Sequence, residues 1–375
     1  MKIDKFKVEE WFNLYEHKAV YDLADTCVES LSIEELLEIA GKNREDLSEI
    51  YSRKLNYGDI HGSPKLKKLV ADLYKKQTEN NITITHGTIG ANQLVMLSLI
   101  ENGDNVVSVI PTYQQHYAIP KSIGANVKIL RLKEENNWLP NLDELEKLVG
   151  NDTKIICMNN PNNPTGAVIP DDILEKIVKI AKKSNAYILC DEVYRGLNHD
   201  GEPFSTSIAD KYEKGISTSS MSKVFSLAGL RLGWVCAPTE VINEINHQRE
   251  YNTISMGILD DYFSCLAIEN KDKIIKRNIA KISEGKYVLE EWLKSENKVR
   301  CIIPNAGTTA FLGYDIPVKS KDLCKKLQDD TGVMILPGET MEYEGFLRIG
   351  YGNNPDKLKE ALEIFSQWIK NLYSA

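Results

Sequence analysis

The sequence predicts an α/β fold in which a mainly parallel sheet is flanked by helices, together with a smaller α+β domain. The chain has 375 residues, more than one hydrophobic core usually holds. Short apolar segments alternate with amphipathic helical patterns through its middle, as in repeated strand–helix–strand units. From about residue 260 the pattern changes to long charged helices. These three observations favour one large and one smaller domain.

The strands of the large domain are predicted from runs of apolar and β-branched residues at 106–110, 127–130, 154–158, 187–190 and 216–219. Between the third and fourth runs, Pro170 precedes a helical pattern with Asp171 and Asp172 in its first turn. Proline and acidic residues favour the start of a helix. A crossover helix that packs on the sheet is therefore expected at 171–181.

The smaller domain is predicted to contain both ends of the chain. Helical patterns at 274–297 and 355–373 dominate the C-terminal part, with fewer strands than before, and the first 40 or so residues lack the strand–helix alternation. Chain ends often pack together. We expect residues 45–258 to form the large domain, and residues 1–44 and 259–375 to form the smaller one.

Composition restricts the possible partners. The chain is 42% hydrophobic and 27% charged, with a formal charge of -8, which argues against disorder and against a nucleic-acid partner. It begins with charged residues and contains no apolar run long enough to span a membrane. Seven scattered cysteines without CxxC spacing indicate reduced core residues and no metal site. A cytoplasmic protein with no membrane partner is expected.

The strongest chemical signal is Lys223, which follows the strand at 216–219 in a serine-rich turn, eight residues before Arg231. A lysine that forms an imine with an aldehyde must be partly deprotonated and rigidly held. Hydroxyl groups of Ser220 and Ser222 and the Arg231 guanidinium are suited to bind a phosphate. The pattern favours a Schiff-base lysine beside a phosphate site. The alternative is a lysine that is only a surface charge.

Two further motifs follow predicted strands, where ligand sites of α/β sheets gather. Asp191 ends the strand at 187–190, and a carboxylate buried there could keep a pyridine nitrogen protonated. Tyr194, three residues on, could reach a phenolate oxygen. Asn163 lies in a turn that two prolines make rigid. The alternatives are a capping aspartate and a tight loop without chemistry.

Other candidates are weaker when each is taken alone. Gly87, Thr88 and Ile89 begin a helix whose N-terminus could bind phosphate, although such a turn is more often a simple connection. Tyr113 follows a strand and could stack on a cofactor ring or belong to the core. For the neighbouring His116, we expect a satisfied or exposed imidazole without a role.

Two residues lie further from these motifs. Tyr57 precedes the predicted helix at 64–78 and could be an ordinary turn residue. Arg348 lies in an apolar strand near the C-terminus, and a buried arginine needs an anion. That anion is either a carboxylate of the protein or one of a substrate.

The order and spacing of these motifs resemble the class I/II aminotransferases, similar to aspartate aminotransferase, which are pyridoxal-phosphate (PLP) enzymes of fold type I. The resemblance covers about residues 51–352, and its most specific segments are 160–166, 191–194 and 220–233. It implies PLP as cofactor, an amino acid and a 2-oxo acid as substrates, and a homodimer with shared active sites.

The resemblance also implies a role for each candidate residue. The catalytic residues would be Lys223 as the Schiff base, Asp191 at the pyridine nitrogen and Tyr194 at the phenolate oxygen. The other cofactor-binding residues would be Gly87, Thr88, Ile89, Ser220, Ser222 and Arg231 at the phosphate, Tyr57 reaching it from a partner subunit, Tyr113 stacked on the ring, and Asn163 at the phenolate oxygen. Arg348 and Asn163 would bind the substrate.

The predicted reaction is transamination. The alternative is a cysteine-S-conjugate β-lyase or a related PLP lyase or synthase, because all these reactions begin with removal of the same α-proton. A DNA-binding regulator lacks a basic helix-turn-helix segment here, and a dinucleotide-binding protein lacks its glycine motif. Residues 21–31 depart from the family's glycine-containing segment. Asp25 and Glu29 in that segment suggest a polar or cationic substrate side chain.

Overall fold

The strands of the protein are short. The computed structural model describes residues 2–374, so Met1 and Ala375, both included in the predicted smaller domain, lie outside the described residues. Within this range the strands are β1 (Tyr21–Asp22), β2 (Ile82–Thr85), β3 (Asn105–Ile110), β4 (Asn126–Arg131), β5 (Thr153–Asn159), β6 (Tyr187–Asp191), β7 (Gly215–Ser220), β8 (Gly233–Cys236), β9 (Val299–Cys301), β10 (Thr309–Tyr314), β11 (Val333–Met334), β12 (Leu336–Pro337) and β13 (Phe346–Gly350).

The α-helices connect and cover these strands. In chain order they are α1 (Lys7–Tyr15), α2 (Ile33–Ile39), α3 (Ser48–Ser52), α4 (Pro64–Ala71), α5 (Gly87–Leu99), α6 (Gln115–Ile123), α7 (Leu142–Leu148), α8 (Asp171–Lys183), α9 (Ile208–Lys211), α10 (Thr239–Arg249), α11 (Ile258–Glu269), α12 (Lys271–Ser295), α13 (Ser320–Thr331) and α14 (Pro355–Ser374). Among residues 2–374, no helix combines the length and apolar character that a membrane span requires.

The central sheet has seven strands in the order β2-β8-β7-β6-β5-β3-β4. Strands β4, β3, β5, β6 and β7 are parallel to one another, whereas β8 runs antiparallel to both β7 and β2. The five predicted strands are confirmed, since each lies within one of β3 to β7. The sequence pattern did not predict β8, because four residues after a loop are too few to show a period.

Helices cover both faces of the central sheet. On one face, Leu174 and Ile177 of α8 belong to the same buried cluster as Ile188 of β6. On the other face, Val95 of α5 lies in a cluster with Leu189 of β6. Each such side chain stabilises the fold by roughly 1.5–3 kcal/mol. The α/β prediction is thus confirmed by a mainly parallel sheet between two helical layers.

The predicted crossover helix is confirmed as α8. Pro170 occupies its N-cap position, Asp171 and Asp172 lie in the first turn, and Lys182 and Lys183 lie in the last turn. These charges have the signs that the helix dipole favours at each end.

Helix α4 is shorter than the predicted 64–78, because it ends at Ala71. The backbone N–H groups of Lys75 and Lys76 donate to the carboxylate of Asp210 at 2.8 and 2.9 Å. These amides therefore bind a side chain from α9 where a longer helix would have used its own carbonyls.

The C-terminal part contains a second, four-stranded sheet in the order β12-β13-β10-β9, with antiparallel neighbours. Near the chain start, β1 pairs in parallel with β11, Tyr21 opposite Val333. Within residues 2–374, five strands, β9 to β13, lie after residue 260 and eight lie before it, so the expectation of fewer strands there is confirmed. Three of them have two or three residues, too short for a sequence period. The domain boundaries stay a prediction.

The register of the central sheet positions one group of polar residues. Asn159 of β5 lies opposite Asp191 of β6, which lies opposite Thr218 of β7. Ser220 ends β7 two residues later. Because parallel strands end at the same edge, these side chains gather at the carboxyl edge of the sheet.

Candidate active site

A cavity of about 230 Å³ opens at this carboxyl edge. It is lined by all the predicted site residues except Gly87 and Tyr57. Those lining residues are Thr88, Ile89, Tyr113, Asn163, Asp191, Tyr194, Ser220, Ser222, Lys223, Arg231 and Arg348. The sequence analysis assigned no role to the other lining residues, which are Val8, Glu9, Phe12, Thr26, Asn92, Asn159, Val193 and Ala228.

Asp191 is a buried carboxyl group, 5% exposed. It accepts hydrogen bonds from Asn92 Nδ2 at 2.8 Å and from the backbone N–H of Val193 at 3.1 Å. Burial raises the pKa of Asp191 to about 6, although Asn92, Val193 and Lys223 oppose the rise. Since an ionised carboxylate is costly to bury without a cation, the site favours a positively charged group beside Asp191.

Asn92 fixes the orientation of this carboxylate. Its Oδ1 accepts from Thr218 Oγ1 at 2.6 Å, which leaves its Nδ2 to donate to Asp191. Asn92 lies on α5, almost one hundred positions before Asp191, so only the fold brings the two together. No sequence signal distinguished Asn92 from its polar neighbour Gln93 in α5.

The expectation for His116 is wrong. The imidazole is completely buried, and its Nε2 has no hydrogen-bond partner among residues 2–374. Its Nδ1 lies 3.2 Å from Thr112 Oγ1, and its Nε2 lies 4.0 Å from Asp191 Oδ2. Burial lowers the pKa of His116 to about 4. A neutral imidazole therefore lies behind the Asp191 carboxylate.

Lys223 lies in the loop after β7, and its amine is held by residues from the segment 21–31. Nζ donates to Thr26 Oγ1 at 2.6 Å and to Cys27 Sγ at 3.1 Å. Burial opposes protonation, but the negative charges that Tyr194, Cys27 and Asp25 can carry outweigh it, so the pKa of Lys223 is raised. The amine is rigidly held, as expected, but the expected partial deprotonation is wrong for the protein alone.

The N-terminus of α5 forms one wall of the cavity. Gly87 adopts φ +66, and a Cβ there would lie 2.9 Å from Arg231 Nη2. The glycine thus lets the helix start approach the arginine. Thr88 Oγ1 is buried and has no hydrogen-bond partner within residues 2–374, and Ile89 follows it in the lining. Unpaired N–H groups at a helix start favour an anion.

The opposite wall follows β7. Ser220 and Ser222 line the cavity, and the Arg231 Nη1 donates to Ala228 O at 2.8 Å and lies 3.5 Å from Ser222 Oγ. Arg231 has φ 49, a left-handed conformation that is uncommon for a residue with a side chain. Together with Thr88, these groups form a cradle of hydroxyls and a guanidinium suited to phosphate.

Two tyrosines face the space between these walls. Tyr194 is 2% exposed and its hydroxyl has no partner among residues 2–374. Tyr113 donates its hydroxyl to Glu9 Oε1 at 3.0 Å, and its ring lies 4.7 Å from that of Phe6. Burial raises the pKa of Tyr113, so its hydroxyl is a donor at neutral pH.

Arg348 lies on β13 and is 3% exposed. Its Nη2 donates to Ala24 O at 2.8 Å, and its Nη1 donates to Asn163 Oδ1 at 3.3 Å. Its Nε is buried without a partner, and no carboxylate among residues 2–374 pairs with it. Burial lowers its pKa, yet a guanidinium stays charged at neutral pH. The site therefore offers a buried cation to an anion from outside.

Tyr57 lies outside the cavity and is 77% exposed. A single chain thus leaves this predicted phosphate ligand in contact with solvent.

Comparison with known proteins assigns the family. The model for aminotransferase class I and II matches residues 32–365. The chain belongs to this family. A solved PLP-dependent aminotransferase from Streptococcus suis 89-1591 has a TM-score of 0.96 and 42% identity, with 99% of each chain covered.

Among curated relatives of this aminotransferase-family chain, capreomycidine synthase of Streptomyces vinaceus is 27% identical over 363 residues, 96% of this chain and 92% of that protein. Aspartate aminotransferase of Pyrococcus horikoshii is 29% identical over 333 residues, 84% of this chain and 85% of that protein. The recognition of the family from its motifs is confirmed.

PLP is the cofactor of this aminotransferase-family enzyme, and the cavity fits it. The unpartnered buried atoms Thr88 Oγ1 and Tyr194 OH supply hydroxyls, the buried Asp191 needs a cation, and the Lys223 amine reaches the same space. These side chains are complementary to the phosphate, the phenolate oxygen, the pyridinium nitrogen and the aldehyde of PLP. Among residues 2–374, no three His, Cys, Asp or Glu side chains are grouped to hold a metal ion.

Proposed function

We propose that this enzyme moves the amino group of an α-amino acid to a 2-oxo acid, with Arg348 as the receptor of the substrate's α-carboxylate. The observation that carries this proposal is the buried Arg348 guanidinium, whose Nε has no hydrogen-bond partner and which forms no ion pair with a carboxylate among the described residues. A buried cation without an anion is costly. A substrate carboxylate would supply the missing charge, and Asn163 already orients the guanidinium.

Two residues act on protons in this proposal. PLP, when bound, withdraws electrons and makes the α-proton of the attached substrate acidic. The Asp191 carboxylate would hold the pyridine nitrogen protonated, which also satisfies the buried charge of Asp191. Lys223 Nζ would form the Schiff base with the cofactor and, once released as a free amine, accept the α-proton. Thr26 Oγ1, a hydrogen-bond partner of this amine at 2.6 Å, would keep it in reach.

The remaining residues would hold the cofactor. Thr88, Ser220, Ser222 and Arg231 would bind the phosphate, together with the backbone N–H groups of Gly87 to Ile89. Tyr194 and Asn163 would donate to the phenolate oxygen, and Tyr113 would stack on the ring. The unpartnered hydroxyls of Thr88 and Tyr194 support these assignments.

A half-reaction screen tests the proposal directly. Purified holoenzyme is mixed with single amino acids, and the visible absorbance band of the lysine-bound cofactor is followed. Loss of the band, and its return on addition of a 2-oxo acid, is expected for at least one amino acid. If no amino acid changes the spectrum, the proposal is wrong.

A PLP-dependent lyase or synthase reaction is the second candidate. It is favoured by the similarity to capreomycidine synthase, which extends over 96% of this chain, farther than the similarity to aspartate aminotransferase. Product formation without any 2-oxo acid would identify this alternative. Release of pyruvate and ammonia from cystathionine would identify the β-lyase form.

We also propose a cytoplasmic homodimer in which Tyr57 reaches the phosphate of the partner subunit. Large apolar side chains near Tyr57 are exposed to 55–83%, which is unusual for the surface of a monomer. They are Tyr51, Leu55, Ile60, Tyr251 and Ile254. The segment 51–60 adjoins the segment that follows residue 251, since a Cβ on Gly58 would lie 3.0 Å from Ile258 Cγ2. The molar mass measured by light scattering during size-exclusion chromatography distinguishes a dimer from a monomer.

A further inference from the structure

The mouth of the cavity is formed by the first helix of the chain. Val8, Glu9 and Phe12 of α1 all line the cavity. Residues four apart on a helix share a face, so Val8 and Phe12 form one apolar strip. Glu9 lies next to this strip. A substrate side chain directed outward from Arg348 and Lys223 would therefore meet methyl and aromatic groups together with one carboxylate.

The carboxylate of Glu9 is available to a ligand. Its Oε1 accepts a hydrogen bond from the Tyr113 hydroxyl at 3.0 Å, and the residue is exposed. The nearby cations are engaged elsewhere, since Lys5 pairs with Glu10 at 2.6 Å and Lys7 pairs with Glu342 at 2.7 Å. Among residues 2–374, no cation forms an ion pair with Glu9.

The other charges of the cavity are already assigned. Lys223, Arg231 and Arg348 are the cations that line it within residues 2–374, and they would bind the aldehyde, the phosphate and the α-carboxylate. The remaining carboxylate, Asp191, lies at the base of the cavity beside Asn92. A second carboxylate on a substrate side chain would thus find no free cation at the mouth, and it would face Glu9.

Asp25 and Glu29 of the segment 21–31, which the sequence suggested for a polar or cationic side chain, do not offer a carboxylate to this cavity. Asp25 accepts from the backbone N–H groups of Thr26 and Cys27. Glu29 pairs with Lys281 at 2.5 Å. Neither acidic residue lines the cavity.

We propose that Glu9 selects amino acids whose side chain has an apolar stem and a terminal cation, with arginine, ornithine and lysine as the class. This inference rests on the proposed transamination site, because it places the α-carboxylate at Arg348. The stem would lie along Val8 and Phe12, and the cation would reach the open carboxylate oxygen of Glu9. Dicarboxylic amino acids would be disfavoured by repulsion from Glu9.

The first test measures binding without turnover. The holoenzyme is titrated calorimetrically at low salt with 5-guanidinopentanoate and with hexanoate, which both lack an α-amino group. Glu9→Gln keeps an acceptor for the Tyr113 hydroxyl and removes the charge. We expect this variant to lower the affinity ratio of the guanidino acid to hexanoate by at least about threefold, the size of a partly exposed ion pair.

The control is Glu10→Gln on the same helix, since Glu10 lies outside the cavity and pairs with Lys5. It should leave the ratio unchanged. Glu9→Ala separates a role in recognition from one in holding α1. If Glu9→Gln retains the parental ratio while Glu9→Ala weakens both ligands equally, Glu9 only anchors the helix and the inference is wrong.

The second test uses the half-reaction with arginine, norleucine and aspartate. The expected order of kcat/KM is arginine first and aspartate last, and Glu9→Gln should reduce the preference for arginine over norleucine through KM. A faster reaction with aspartate than with arginine contradicts the proposed role of Glu9 but leaves the transamination proposal standing. No spectral response to any amino acid contradicts the transamination proposal itself.

Discussion

Replacing Asp191 with asparagine removes the buried charge while preserving the shape of the side chain. Burial raises the pKa of Asp191 from 3.8 to about 6. A carboxyl group whose pKa is raised on folding binds its proton more tightly in the folded state. The free energy of unfolding therefore falls as pH rises from about 4 through 6, and at pH 7.5 the deficit is about 3 kcal/mol, at about 1.36 kcal/mol for each pKa unit.

The local hydrogen bonds can adapt to the substitution. Asn92 can turn its amide so that its oxygen accepts from the new NH2 group, and the hydroxyl of Thr218 can rotate to accept from Asn92. We expect the cofactor-free Asp191→Asn protein to be more stable than the parent at pH 7.5 by up to about 3 kcal/mol, and to lose this advantage at pH 4.5.

Urea denaturation of both cofactor-free proteins between pH 4.5 and 7.5 provides the measurement. The difference between variant and parent is the quantity of interest, because titrating groups that do not interact with Asp191 cancel in it. Asp315→Asn, at an exposed position, is the matched control and should show a constant difference. A constant difference for Asp191→Asn as well would refute the reasoning. Added PLP should stabilise the parent more than the variant, which cannot offer the charge.

Three further predictions concern the same cavity. Lys223→Ala should abolish the visible band of lysine-bound cofactor and all measurable turnover, because no other amine lines the cavity within residues 2–374. Retained turnover would exclude Lys223 as the Schiff base. Arg348→Ala should raise the KM of the amino acid at least about 30-fold, the loss expected for one partner of a buried charge pair, and an unchanged KM would remove its role. Gly87→Ala should weaken PLP binding measured by equilibrium titration, because residue 87 has φ +66 and its Cβ would lie 2.9 Å from Arg231 Nη2. Unchanged affinity for PLP would show that the start of α5 can shift freely.

The sequence predicted the part of the site that lies at strand ends. Asn163, Asp191 and Ser220 follow or end strands whose apolar runs are easily recognised, and parallel pairing brings such ends to one edge. Their approximate positions therefore followed from the strand prediction alone. The family resemblance added the chemical role of each side chain, which spacing could not supply.

The residues that the sequence did not indicate come from distant segments. The hydrogen bond from Lys223 to Thr26 joins positions 197 apart, and that from Tyr113 to Glu9 joins positions 104 apart. No local period or motif encodes such contacts, because they depend on how the segment that contains Glu9 and Thr26 packs against the central sheet. Likewise, Asn92 could be recognised as a partner of Asp191 only after α5 had been packed on the sheet.

Helix α1 is attached to the large sheet region by a pair of reciprocal hydrogen bonds. Its backbone N–H at Lys7 donates to Gln114 Oε1 at 2.8 Å, and Gln114 Nε2 donates to Lys5 O at 2.8 Å. Trp11, one helical turn after Val8, is 2% exposed and belongs to the main hydrophobic core. The same short helix therefore presents Glu9 to the cavity and contributes buried apolar area to the fold. A substitution that loosens α1 would change the stability of the protein and the charge at the cavity together, so the two properties are coupled through one helix.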